Sequence, residues 1–175
     1  CVSTQTEYRR IMSLMDEETV LEDILSKVNS DDIFYDIGAN IGIYSCLIGK
    51  KLSRGKVVAF EPHQTTADRL KENLALNDVE ATIHQTVLSD ENGPVEFSPS
   101  GDSLGSGTHS ISAGGTDNAT TVQSTTGNRV AEQSGSNPTV VKIDIEGAEL
   151  QVLRGLSEVL DADSCRLIYC EVHPD

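Results

Sequence analysis

The chain has 175 residues, enough for one domain with an adequate core. Its 28 acidic and 13 basic residues leave a formal net charge of -15, and its basic pairs, Arg9-Arg10 and Lys50-Lys51, are short and separate, which argues against a nucleic-acid partner bound through phosphates. No stretch approaches the ~20 apolar residues of a membrane span, and no secretory leader opens the chain, so a cytoplasmic protein is expected.

Residues 16–29 carry Val20, Leu21, Ile24, Leu25 and Val28 at helical spacing, and Ser30-Asp31-Asp32 breaks the pattern. Ile33 to Ile37 is an apolar run interrupted by Asp36, which predicts a buried strand. It leads into Gly38-Ala39-Asn40-Ile41-Gly42, small residues that let a ligand approach the backbone. A helix over 42–52 follows, with Ile43, Tyr44, Leu47, Ile48 and Leu52 as its apolar stripe. Lys56 to Phe60 predicts a second strand, ending in Glu61. A helix over 64–76 turns Ala67, Leu70 and Leu74 inward and stops at Asn77-Asp78. The third strand reads as Glu80 to Thr86.

Residues 98–138 are rich in Ser, Gly and Thr, with Leu104, Ile111 and Val122 as the main large apolar residues. This stretch reads as a surface loop or insertion, and its functional reading is a segment that covers a substrate. Thr139 to Asp144 predicts a fourth strand, buried on both faces. A helix over 148–160 carries Ala148, Val152, Leu156 and Leu160, and a last strand spans Arg166 to His173. Strands alternating with helices predict an α/β fold: one domain over 1–175 with a doubly wound, mostly parallel sheet.

The glycine turn selects a ligand class. Glu61 follows it at roughly the ~20-residue spacing at which an acid binds a ribose hydroxyl. A dinucleotide site needs a second glycine where Asn40 stands, and Asp36 would repel a diphosphate. An acid at that position suits an ammonium. S-adenosylmethionine carries one, with a sulfonium and no phosphate, so the local electrostatics favour a methyl donor over NAD.

Asp36-Ile37-Gly38-Ala39-Asn40-Ile41-Gly42, then Ala59-Phe60-Glu61-Pro62, then Val141-Lys142-Ile143-Asp144-Ile145-Glu146-Gly147-Ala148-Glu149 and Val152-Leu153-Arg154-Gly155 resemble the FkbM-type methyltransferases. The likeness runs in family order over roughly 31–173, and the third block is its most specific part. It implies a class I, Rossmann-like methyltransferase fold, S-adenosylmethionine as cofactor, and methylation mostly at oxygen, of a small molecule or glycan. Where the family shows a Leu-Asp pair after a Val-x-Thr-Thr strand, this chain has Gly127-Asn128 after Ser124-Thr125-Thr126. Class I folds also add a last helix and hairpin. The sequence stops at Asp175, which reads as a truncated version or as a chain whose last strands are not included.

Ligands of an open parallel sheet bind outside the carboxyl ends of its strands. The cofactor residues expected there are Asp36, Gly38, Ala39, Asn40 and Gly42 for the methionine part, Glu61 for the ribose, and Thr86 and Val87 near the adenine. Methyl transfer needs orientation and a group that takes the acceptor's proton. Asp144, at the end of the fourth strand, is the candidate base, with Glu146 and His173 as second choices. Glu149 falls in the first helical turn, where a carboxylate suits the helix dipole. No Asn/Asp-Pro-Pro-aromatic block follows the fourth strand, which argues against methylation of a nucleic-acid base. A non-catalytic cofactor-binding or interaction module and an NAD-linked oxidoreductase are the alternatives.

Cys1, Cys46, Cys165 and Cys170 form no disulfide framework, and Cys165, Cys170 and His173 lack the paired spacing of zinc ligands. No metal is expected. Acid spread along a lysine-poor chain suits a salt-rich cytoplasm, where a strong field is screened.

Overall fold

Strands without a polar face need cover on both sides, and helices with one apolar stripe provide it. In the computed structural model, which describes Tyr8, Met12 and residues 18–99, 109–111, 120–145 and 147–172, the two halves of the chain do this in turn. Helix α1 (Glu18–Lys27) precedes β1 (Ile33–Ile37), α2 (Ile43–Gly49), β2 (Lys56–Phe60), α3 (Gln64–Leu76) and β3 (Ala81–His84). Further along come α4 (Gly127–Ser134), β8 (Val140–Ile143), α5 (Glu149–Gly155), α6 (Ser157–Asp161) and β9 (Leu167–Cys170). The main sheet has the order β3-β2-β1-β8-β9, with every pair parallel. Strand order reverses at β1, so the carboxyl ends of β1 and β8 flank the switch point where such sheets bind ligands.

Strand alternation sorts the core into two layers. Phe34, Val57, Ala59 and Val140 pack with Ile24 and Val28 beside α1, with Tyr44 and Ile48 of α2, and with Leu70 and Leu74 of α3. Tyr35, Ile37, Val58, Phe60, Val141 and Ile143 pack on the other face with Val130 of α4, Val152 of α5 and Val159 of α6. The expected doubly wound sheet is present. Among the described residues no helix is long and apolar enough to cross a membrane.

Three expected elements differ. The third strand ends at His84, and Val87 opens a separate strand instead. That strand, β4 (Val87–Leu88), joins β5 (Gly93–Pro99), β6 (His109–Ile111) and β7 (Thr120–Thr125) in a second sheet of order β4-β7-β5-β6. The stretch read as a loop over 98–138 therefore contains strand over 98–99, 109–111 and 120–125 and helix over 127–134. Helix α4 has end signals of its own. The Thr126 Oγ1 accepts the Arg129 N–H at 3.2 Å, and Gly135 closes the helix with φ +65°. The helix expected over 148–160 is two helices that meet at Leu156. Gly155 lies so close to β4 that an added Cβ would come within 2.0 Å of the Ser89 carbonyl oxygen. The departure at Gly127-Asn128 also has a structural place: the Asn128 Oδ1 accepts the Val159 N–H at 3.2 Å, tying α4 to α6.

At the amino ends of the strands, Asp32 ties the sheet together. Its carboxylate accepts from Thr139 Oγ1 (2.7 Å) and the Asn29 N–H (2.6 Å), and pairs with Arg166. Burial works against this charge, yet the bonds from Thr139, Asn29 and Arg166 hold its carboxyl below the ordinary value.

Candidate active site

The turn after β1 is shaped by three consecutive demands on the backbone. Gly38 (φ +77°), Asn40 (φ +51°) and Gly42 (φ +86°) all adopt the left-handed region. Asn tolerates this better than most residues, so Asn40 supplies the conformation that a second glycine would have supplied. The Gly38 and Ala39 N–H groups both donate to the Phe60 carbonyl, at 3.1 and 3.0 Å, which ties the turn to the end of β2. Asn73 of α3 donates to the Ile41 carbonyl at 2.8 Å. Gly38 also touches β8: a Cβ there would lie 2.0 Å from the Asp144 carbonyl oxygen.

Glu61 is 5% exposed and closes the turn from the β2 side. Its Oε2 accepts the Asn40 N–H at 3.1 Å and its Oε1 the His63 N–H at 2.9 Å. A carboxylate has about four lone-pair sites, so ligand hydroxyls can share the same two oxygens.

Asp36 sits one residue inside the end of β1, on the α2 face of the sheet. It is 1% exposed, far more buried than a residue at the mouth of a turn. Ser45 of α2 donates to its Oδ2 at 2.5 Å, while Oδ1 is buried without a hydrogen-bond partner. Burial pushes this carboxyl up, and Lys142 and Ser45 oppose the rise.

Lys142 is the residue that sequence reasoning missed. It pairs in register with Asp36 across β1 and β8, is itself 6% exposed, and bonds Asp144 Oδ2 at 2.8 Å. Its Nζ stands 4.4 Å from the centre of the Tyr44 ring. A charge in the buried run Val140-Val141-Lys142-Ile143 was the available signal. A cleft of about 350 Å³ opens here, lined by Val20, Tyr44, Lys142, Tyr169 and Glu171 among others. Burial and the acids Glu149, Asp144 and Glu171 all push the neighbouring Cys170 thiol up, so acid groups gather at this strand end.

The turn residues Gly38, Ala39, Asn40 and Gly42 thus meet Asp36, Glu61 and Asp144 at the carboxyl ends of β1, β2 and β8. Val87 belongs to the small sheet, where it pairs with Ser124, and Thr86 precedes it, its hydroxyl donating to the Gln123 carbonyl of β7 at 2.6 Å. Glu146 and His173 lie outside the described residues.

Comparison with known proteins gives the family. The methyltransferase FkbM domain model matches residues 36–175. The hexuronic acid methyltransferase AglP of Haloferax volcanii is 34% identical over 174 residues, covering 98% of this chain and 69% of that protein. The methyltransferase sdnD of Sordaria araneosa is 41% identical over 54 residues, 31% of this chain and 21% of that protein. Among solved structures, methyltransferase FkbM from Methylobacillus flagellatus superposes with a TM-score of 0.57 at 20% identity, over 81% of this chain and 33% of that one. An rRNA methylase from Streptococcus thermophilus gives 0.51 at 9% identity, over 87% and 69%. At these identities both structures speak for the fold alone. The chain belongs to the FkbM methyltransferase family.

Proposed function

We propose that this domain transfers a methyl group from S-adenosylmethionine to an oxygen of an acidic sugar, with a hydroxyl as the acceptor oxygen. The observation that carries the cofactor is Asp36, whose Oδ1 is buried and unpartnered beside the glycine turn. An acceptor without a donor in a dry setting is a cost that a ligand ammonium would offset. Glu61 fits a ribose, because two backbone N–H groups fix its carboxylate at the carboxyl end of β2, beside the glycine turn, and a carboxylate accepts from hydroxyls. The bound cofactor would supply a methyl carbon on a sulfonium.

Asp144 is the group assigned to the acceptor's proton, and the cleft beside Lys142 is the assigned acceptor position. The likeness to the hexuronic acid methyltransferase AglP supports the acidic sugar. A hexuronic acid offers hydroxyls, which need a base, and a carboxylate, which is ionised at neutral pH and does not. The Asp144 carboxylate, bonded by the cleft-lining Lys142, supports the hydroxyl.

Titration calorimetry with S-adenosylhomocysteine and NAD tests the cofactor, and binding of NAD alone would overturn it. Transfer of labelled methyl to hexuronic acids and to neutral hexoses tests the acceptor. Mild alkali then separates the two oxygens, since an ether survives and an ester is cleaved. Label lost to alkali would move the assignment to the carboxylate.

A further inference from the structure

Lys142 is a buried charge to which the proposed chemistry gives no task. An ammonium is costly to bury, and a methionine of similar length would fill the same space. Its surroundings hold it in place. Asp36 of β1 and Tyr169 of β9 flank it in register, and the Tyr44 ring of α2 lies 4.4 Å from Nζ. The Tyr169 hydroxyl is itself held by Asp23 of α1, at 2.7 Å. Glu171, beyond β9, lines the same cleft, and Glu149 of α5 acts on the same strand end through Cys170. Asp144, by contrast, stands past the last strand residue of β8, where its N–H bonds the Ile37 carbonyl at 3.0 Å. Its side chain is 24% exposed and receives Lys142 Nζ at 2.8 Å.

We infer that Lys142 is a positioning residue: it fixes the Asp144 carboxylate in one orientation at the cleft where the acceptor hydroxyl is presented. The inference rests on the acceptor reading above. The acceptor's proton would pass to an Asp144 oxygen as the hydroxyl oxygen takes the methyl carbon, while that carbon's bond to the cofactor sulfur breaks and its electron pair stays on sulfur as a thioether. Lys142 touches neither reacting atom. It acts by keeping Asp144 directed and ionised, and Tyr44 keeps Lys142 from swinging away.

The test compares the full chain with Lys142→Met and Lys142→Arg. Methionine retains the apolar stem, and arginine retains charge and stacking on Tyr44. Turnover is measured from about pH 5 to pH 9, the range in which an essential base shows its limb. In Lys142→Met the acid limb of kcat moves to higher pH. Turnover on that limb falls about tenfold for each unit moved. KM for the acceptor stays within a few-fold, and Lys142→Arg recovers most of the parent profile. Carbon-13 titration of the aspartate carboxyls, with Asp144 identified by Asp144→Asn, shows the same upward displacement in the ligand-free protein.

An unmoved pH limb with an unmoved carboxyl titration overturns the inference. So does a rise in KM confined to acidic sugars, which would make Lys142 the counter-ion of the acceptor carboxylate. A parent protein that methylates no sugar sinks the acceptor reading, and the carboxyl titration then decides alone on Lys142.

Discussion

Asp36, assigned above to the cofactor ammonium, carries a cost in the ligand-free fold, because its Oδ1 is buried without a hydrogen-bond partner. Burial raises the Asp36 carboxyl, with Lys142 and Ser45 only opposing. A carboxyl raised in the folded state contributes most below its unfolded value, and that contribution is lost as pH rises through the folded value. Asp36→Asn removes this loss. Thermal unfolding at pH 8 is expected to give a Tm equal to or above the parent's. Affinity for S-adenosylhomocysteine should fall by about 1.5–3 kcal/mol, the worth of a hydrogen bond to a charged group. A lowered Tm would show instead that the attraction between the ionised Asp36 carboxylate and Lys142 is a net stabiliser. Glu61→Gln is expected to weaken the same affinity by about 1–3 kcal/mol. Its amide nitrogen would face the N–H of either Asn40 or His63, both of which now donate to the carboxylate. Calorimetry with an unchanged affinity would detach Glu61 from the ribose. Of these groups, Asp36 and Glu61 were legible because an acid closing an apolar strand stands out. The partners Ser45 and Tyr44 were not, since either could equally be ordinary helix packing.

Elements were legible where their periodicity was apolar. β1, β2 and β8 are mostly Val, Ile, Phe, Tyr and Ala, broken by Asp36, Lys56 and Lys142, and the helices between them carry clear stripes. β7 is Thr-Thr-Val-Gln-Ser-Thr, in which β-branched residues favour a strand without any hydrophobic alternation to announce it. The break between α5 and α6 was hidden for another reason: it falls where Gly155 closely approaches Ser89, a contact between distant segments. Asp32 is the element-scale staple, joining the starts of β1, β8 and β9 through Thr139 and Arg166. Asp32→Ala leaves the Thr139 hydroxyl, the Asn29 N–H and Arg166 without this acceptor, and should cost about 2–3 kcal/mol in urea unfolding at pH 7. The parent's Asp32 carboxyl is depressed in the folded state. Its stabilisation is therefore present above the unfolded value and lost as pH falls through the folded one. The gap between parent and variant should narrow below about pH 4. A constant gap down to acid would show that Asp32 acts by packing alone.

For the molecule as a whole, the net charge of -15 sets the response to salt. The ion pairs Lys50–Asp78 and Arg54–Asp31 are exposed and at 3.7 and 3.6 Å, so they relieve little of the mutual repulsion. The screening length falls from about 10 Å at 0.1 M to about 3 Å at 1 M salt. Raising KCl through this range should raise Tm by several degrees on a scale where about 1 kcal/mol corresponds to 2–4 °C for a domain of this size. A flat response would remove the salt-adapted reading. The parallel sheet also divides the making of the site in time. Asn40 and Glu61 are 21 residues apart, so the turn and its carboxylate clamp close within one local β-α-β unit. Ile33 meets Thr139 across 106 residues, and only that long closure brings Lys142 and Asp144 alongside β1. Loop closure of this length is slow. Pulsed hydrogen exchange during refolding is expected to protect β1 and β2 amides before those of β8. The two halves of the candidate site then have separate birthdays: a nascent chain can close the Asn40–Glu61 clamp well before β8 brings Lys142 and Asp144 beside β1.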